Sequence, residues 1–319
     1  MSKKPHKSRL RRIIIFLVIA FVLIEIFVYF NEKGKTNSQN QADQSPQNQP
    51  ASFGVPVDIV KAIDNAKTIE QVKNVIQPSL SKYGLTLYIN ESPVSHLYPK
   101  VTTLTSLTEN DLEDVKNYAL LFYYEWHKYP VNWVTRSKLI GVLFVKRIQF
   151  KNGYYKSTEN SLEDLAAMWD IKHNYMVYTI GPSGNYNNDF LRETLHHEYF
   201  HYQIFEHFGN MTYEFPQWIA CNDKNFSYKG RGDLAVEDPN FQYIDHNTPG
   251  FVDSYAPYAL EEDMAETYGY IMTDQLYKKL LTWLPEDSIL NCKATFLKTL
   301  IHQMDPEIDE GYFGKIHQQ

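Results

Sequence analysis

The stretch NDFLRETLHHEYFHYQIFEH, residues 188–207, limits what this chain can become more than any other. It carries H-E-x-x-H as His197-Glu198-Tyr199-Phe200-His201. On an α-helix, positions i and i+4 stand one above the other, about 6 Å apart along the axis. Two imidazoles so placed can converge on a single zinc ion, and Glu198 then points to the open side of the metal, where it can take a proton from a bound water. Leu191, Leu195, Tyr202 and Phe205 make a stripe that would bury the opposite side of the helix. His196 lies about 100° around the helix from His197 and should not reach the same ion. His207, six residues past His201, is also off the metal face.

A zinc site that performs hydrolysis wants three protein ligands and one open position. The best source of the third is GFVDSYAPYALEEDMAETYGYIM, residues 250–272. Glu262 and Glu266 stand at i and i+4 on an expected helix, so one can ligate and the other can accept a hydrogen bond from the free nitrogen of a ligating histidine. The competing reading is a solvated first turn of acids favoured by the helix dipole, which suits Glu261. Spacing alone does not rank Glu262, Asp263 and Glu266. Tyr255 is a candidate to stabilise an oxyanion, since a phenol can do so without altering the charge of the metal site; Tyr258 is the fallback.

Ahead of this region the chain divides. Residues 1–12 are basic, with Lys3, Lys4, Lys7, Arg9, Arg11 and Arg12. Residues 13–30 are 18 positions, all apolar or aromatic except Glu25, near the lower limit for a membrane-spanning helix. The preceding bases orient the amino terminus inward, so the expectation is a single-pass anchor in the cell membrane with the main body outside. A cleaved signal peptide would have a shorter apolar core and a small-residue cleavage site. Residues 31–54, rich in Asn, Gln, Ser and Pro, read as a flexible stalk. Residues 55–319 are then one folded domain. The net charge of −7 conceals a more acidic remainder behind that basic tail, which argues against a nucleic-acid partner. Cys221 and Cys292 lack the spacing of a zinc or redox motif, and a disulfide and two buried thiols are both open.

Apolar periodicity predicts two short helices within 58–80, a strand at 85–89 and a helix opening at Thr108 as N-cap. It predicts strands at 139–150 and 175–181, a turn-rich break, and then the histidine-bearing helix. An irregular stretch follows from about 209 to 256, with helices at 260–283 and 286–304. Strands early and helices late give an α+β class. Trp218 is expected to anchor a loop in the core, His246 to sit in a solvated loop, and YKGRG, residues 228–232, to rim a cleft with Arg231 facing substrate.

The motifs resemble those of gluzincin metallopeptidases of the lethal-factor-like group, which includes secreted proline-directed endopeptidases. In that group a tyrosine follows H-E-x-x-H, and E-x-x-A-E begins seven residues after the tyrosine; here Tyr255 precedes Glu262-Asp263-Met264-Ala265-Glu266. GFVDSYAPYALEEDMAE, HHEYFH and FSYKGRG are also similar to phrases of a bacterial group of zinc-binding, often lipid-anchored peptidases. The resemblance covers roughly 188–272. It implies a zincin-like domain with one zinc ion held by His197, His201 and Glu262. It also implies Glu198 as general base, Tyr255 as oxyanion donor, Glu266 behind a ligating histidine, and a peptide or protein substrate. Met264 stands where an aromatic is common, and the gap from His201 to Glu262 is longer than in toxin-like members. A zinc hydrolase of a non-peptide bond, or a surface binding protein that keeps the metal without turnover, would share these motifs. The intact Glu198 argues against the latter.

Overall fold

The computed structural model describes residues 54–90, 102–150, 164–170, 172–180, 188–209, 215–232, 234–238 and 240–318. The expected basic tail, anchor and stalk, and the turn before the histidine-bearing helix, lie outside these residues. Among the described residues no helix is long and apolar enough to cross a membrane.

Two short helices open the domain, α1 (Val57–Asn65) and α2 (Ile69–Ser81). Thr68 starts α2 by accepting the Gln71 amide at 3.2 Å, as an N-cap threonine should. Strands β1 (Thr86–Ile89) and β2 (Thr102–Thr105) follow. The long helix α3 (Leu112–His127) is entered through a 3-10 turn at Glu109–Asp111. There the backbone and hydroxyl of Thr108 both donate to Asp111, so the N-cap expected at Thr108 stands. A single turn, α4 (Val131–Thr135), leads to the remaining strands: β3 (Gly141–Val145), β4 (Arg147–Phe150), β5 (Asp164–Leu165), β6 (Ala167–Asp170) and β7 (Tyr175–Thr179).

The strands form two sheets. One runs β1-β3-β7-β6, parallel except for antiparallel β6 at its edge; the other is antiparallel, β2-β4-β5. The single strand expected over 139–150 is therefore two strands in different sheets. The change occurs at Lys146, whose amide bonds Thr105 O at 2.9 Å and whose ammonium reaches Asp111 at 2.7 Å. The chain changes sheets again at Ala166, between β5 and β6, beside the same level of β7. An apolar run feeding two sheets looks the same in sequence as one feeding a single sheet, which is why the break is not visible there.

The four-stranded sheet is covered on both faces. Val142, Phe144, Met176, Tyr178, Ala167 and Trp169 point into the larger core, against α2, α3 and the histidine-bearing helix α5 (Asn188–Phe208). Leu143, Val145, Val177 and Met168 alternate to the other face, as strand geometry requires. That second face is closed by Phe241, Tyr243, Tyr255 and Tyr258. The stretch expected to be irregular thus contributes a core layer. It also contains two short helices, α6 (Pro216–Cys221) and α7 (Leu234–Glu237).

The carboxyl-terminal third is helical: α8 (Leu260–Met272), α9 (Asp274–Trp283), α10 (Ser288–Met304) and α11 (Glu310–Ile316). The helix expected over 260–283 is interrupted at Thr273, which is extended (φ −94°, ψ 122°). No proline or glycine marks the break. Instead Asp274, the next residue, is held by Lys128 at 2.8 Å, Tyr124 at 2.7 Å and His317 at 2.7 Å, all distant in sequence. Cys221 and Cys292 form a disulfide between α6 and α10, with Cα atoms 5.7 Å apart, a separation ordinary for such a bridge. Of the two possibilities open in the sequence, the pairing is the one found.

Candidate metal centre

Helix α5 packs along α8, and their facing sides carry the site. His197 is 5% exposed, His201 1%, and Glu198 and Glu262 0%. His197 Nε2 lies 3.1 Å from His201 Nε2 and 3.2 Å from a Glu262 oxygen. The other Glu262 oxygen is 3.4 Å from His201 Nε2. A tetrahedral ion with bonds of about 2.05 Å needs its ligand atoms roughly 3.3 Å apart. The two imidazole nitrogens stand at about that spacing, each has a Glu262 oxygen at 3.2 or 3.4 Å, and one donor atom from each residue closes a triangle with every edge within 4.8 Å, so these donors fit zinc in number and type. The buried position of Glu262 removes the reading of a solvated first turn.

Glu198 borders the triangle, with one oxygen 3.7 Å from His197 Nε2. Neither of its carboxylate oxygens has a hydrogen-bond partner among the described residues. Its carboxyl is pushed well above the ordinary range by burial; His197 opposes that shift, and the charges of Glu262 and Glu193 add to it.

Behind the triangle, His197 Nδ1 faces two carboxylates: Glu266 at 3.2 Å and Glu193 at 3.6 Å. Glu266 thus lies within reach of the nitrogen that does not face the triangle. Glu193 is not singled out by the motif, although it lies one turn before His197 on the same helix face, a spacing that can be read in sequence. Glu193, His197 and Glu266 also form a metal-sized triad. It shares its imidazole with the first, and filling both would strip both ring nitrogens of their protons.

Asp263 is set apart from the triangle. Its Oδ2 accepts from Lys293 at 2.8 Å, Trp218 Nε1 at 3.0 Å and Tyr228 at 2.6 Å. Trp218 is accordingly a core anchor, and its target is the residue next to Glu262. Tyr255 is 1% exposed, with its ring among Phe241 and Tyr258. Its amide and that of Ala256 both bond Asp253 at 2.9 Å. Asp253 accepts in turn from Tyr243 at 2.5 Å, and Tyr243 lies 3.5 Å from Glu266. Asp253 and Tyr243 thus tie the Tyr255 turn to the support of His197. Both went unnoticed in sequence because nothing local distinguishes them from other aspartates and tyrosines. The fallback Tyr258 directs its hydroxyl to Asp238 at 3.3 Å. The backbone of Lys229 and Gly230 pairs with Pro257 and Tyr258, which brings YKGRG alongside the Tyr255 turn.

His196 is wholly buried, and both its nitrogens are engaged away from the triangle: Nε2 with Glu125 at 2.8 Å, Nδ1 with the Tyr129 hydroxyl at 2.5 Å. His207 is exposed. His246 differs from the solvated loop expected of it: it stacks on Trp283, and Nδ1 meets Phe251 O at 2.9 Å.

No family model matches the chain, and no curated protein does. A crystal structure of a putative zinc-binding metallo-peptidase from Bacteroides caccae superposes on 80% of this chain and 93% of its own, at 12% identity and a TM-score of 0.47. At that level of likeness neither activity nor site residues transfer from one chain to the other.

Proposed function

We propose that this protein is a zinc-dependent peptidase with a zincin-like domain, anchored in the cell membrane by residues 13–30 and facing outward. The observation that carries the reading is the buried His197-His201-Glu262 group, whose donor atoms lie within 4.8 Å of one another, with Glu198 beside it. His197, His201 and Glu262 would hold one zinc ion. Zinc bound there supplies a Lewis acid that polarises a scissile carbonyl and lowers the pKa of water. Glu198, placed at the edge of the triangle, accepts the proton of the attacking water and returns it to the leaving amine. Glu266 holds the His197 ring in the orientation that aims Nε2 at the metal. Tyr255 is assigned to the developing oxyanion on its seven-residue spacing to Glu262 and its tether to Asp253. The outward orientation is supported by the Cys221–Cys292 disulfide, which belongs to an oxidising compartment.

The test is metal analysis of the purified protein together with cleavage of a peptide library by wild type and Glu198→Gln. One zinc per chain in both proteins, with cleavage by wild type alone, is expected. A wild type that binds zinc and cleaves no peptide defeats the peptidase reading, and cleavage by Glu198→Gln at the wild-type rate defeats the assigned mechanism.

A further inference from the structure

We infer that Glu193 is a second positioning residue for His197, seated by Gly269, so that the metal-facing imidazole is held from both α5 and α8. This rests on His197 being a zinc ligand, as proposed above. Burying a carboxylate is costly unless something compensates for it, yet Glu193 is 1% exposed and lies against the back of the ring. Its Oε1 is 3.6 Å from Nδ1, on the side away from Glu262. Glu266, from the facing helix, is 3.2 Å from the same nitrogen.

The second observation is the room made for it. Gly269 lies in α8, three residues after Glu266, on the side facing α5. A Cβ at that position would stand 2.5 Å from Glu193 Oε1, 2.8 Å from its Cγ and 3.0 Å from its Cδ. The contacts to Oε1 and Cγ are too close to exist, so any larger residue at 269 would have to move the Glu193 carboxylate. Glycine inside a helix costs about 1 kcal/mol relative to alanine. Here that cost has a physical return, because only glycine lets the two helices close around Glu193.

Two carboxylate oxygens from different helices have two effects on the ring. They restrict its rotation, and they draw on the Nδ1 proton, which makes Nε2 a stronger donor to the metal. A second metal in the Glu193-His197-Glu266 triad is the competing use of the same atoms. It requires His197 to bridge two ions with no ring proton left, and stoichiometry distinguishes it.

The experiment uses the full chain in mild detergent. Zinc affinity is measured by competition with a chromogenic chelator, and site geometry by the visible spectrum of bound Co2+. The wild type should bind one ion. Glu193→Gln, which keeps the shape and removes the charge, should bind zinc about 10- to 100-fold more weakly with an altered cobalt spectrum. Gly269→Ala should do the same, since it moves the carboxylate while keeping every charge. On a Glu193→Ala background, adding Gly269→Ala should change affinity by less than about 2-fold, because no carboxylate remains to displace. Should one single variant fail to fold, the other together with the double variant decides. Zinc affinity within about 2-fold of wild type in Glu193→Gln, even with a lowered melting temperature, overturns the inference and leaves Glu193 a packing residue. Two ions per wild-type chain overturns it in favour of a second metal. A wild type that binds no zinc defeats the functional reading itself, an outcome distinct from either.

Discussion

Replacing Glu125 by Gln tests whether the charges behind α5 hold the fold together. Glu125 lies in α3 and is 0% exposed. It meets three cationic or hydrogen-bonding partners: Arg192, Lys128 at 2.8 Å and His196 at 2.8 Å. Burial alone would raise its pKa, but Lys128, His196 and Arg192 outweigh burial and bring it down to about 2 from an ordinary 4.5. That depression corresponds to about 3 kcal/mol of stability at neutral pH. The figure agrees with the 3–5 kcal/mol or so expected when one partner of a buried ion pair is removed. Because the folded pKa lies below the unfolded one, the contribution is complete above about pH 4.5 and is lost as pH falls through about 2. Urea unfolding of metal-free wild type and Glu125→Gln should therefore differ by about 3 kcal/mol at pH 7 and by about 1 kcal/mol at pH 3. The neutral-pH loss corresponds to a drop of roughly 6–12 °C in melting temperature for a domain of this size. A difference below about 1 kcal/mol at pH 7, or one that does not change between the two pH values, would refute the reasoning.

Two further outcomes follow from the site and the disulfide. Glu262→Gln should lose zinc affinity more severely than Glu266→Gln, because one removes a ligand and the other only its neighbour's support; chelator competition showing the reverse order would exchange their roles. The Cys221→Ser/Cys292→Ser variant releases a bridge spanning 71 residues, for which chain entropy alone gives about 4 kcal/mol, and measured losses of about 2–4 kcal/mol are usual. Denaturation of oxidised wild type and the double variant checks this, and equal stabilities would show that the bridge adds nothing to the fold.

The grouping of His197, His201, Glu262 and Glu266 was legible in sequence because it depends on one helix period. The four-residue offsets of His197 from His201 and of Glu262 from Glu266 are each contained within a single turn. The elements that failed were set by distant partners. Thr273 breaks a helix because Lys128, Tyr124 and His317 claim Asp274. Lys146 ends a strand because Thr105 and Asp111 capture it. Asp253 and Tyr243 reach the site only through tertiary bonds. Glu193 is an intermediate case: its spacing to His197 is local, but its significance depends on Gly269 of another helix.

The apolar stripe on α5 shows why periodicity underrates a helix of this kind. Leu195 and Tyr202 are buried as the stripe implies, yet so is every residue from Arg192 to Ile204. A surface helix buries one face and solvates the other. This one has no solvated face over those residues, and its polar residues are distributed among different internal environments. His197, His201 and Glu198 face Glu262; Glu193 and Glu266 back His197; Arg192 and His196 turn to Glu125 on α3. A polar sequence can be fully internal when its charges are matched by residues from other elements. The catalytic reading and the Glu125 network are therefore linked. Arg192 and His196, two of the three partners of Glu125, are on the same helix turns as His197 and His201, so Glu125→Gln should loosen the register of α5 against α8 and weaken zinc binding while leaving His197, His201 and Glu262 in place. If Glu125→Gln unfolds more easily but binds zinc as tightly as wild type, the two sides of the helix are energetically independent, and the network serves stability alone.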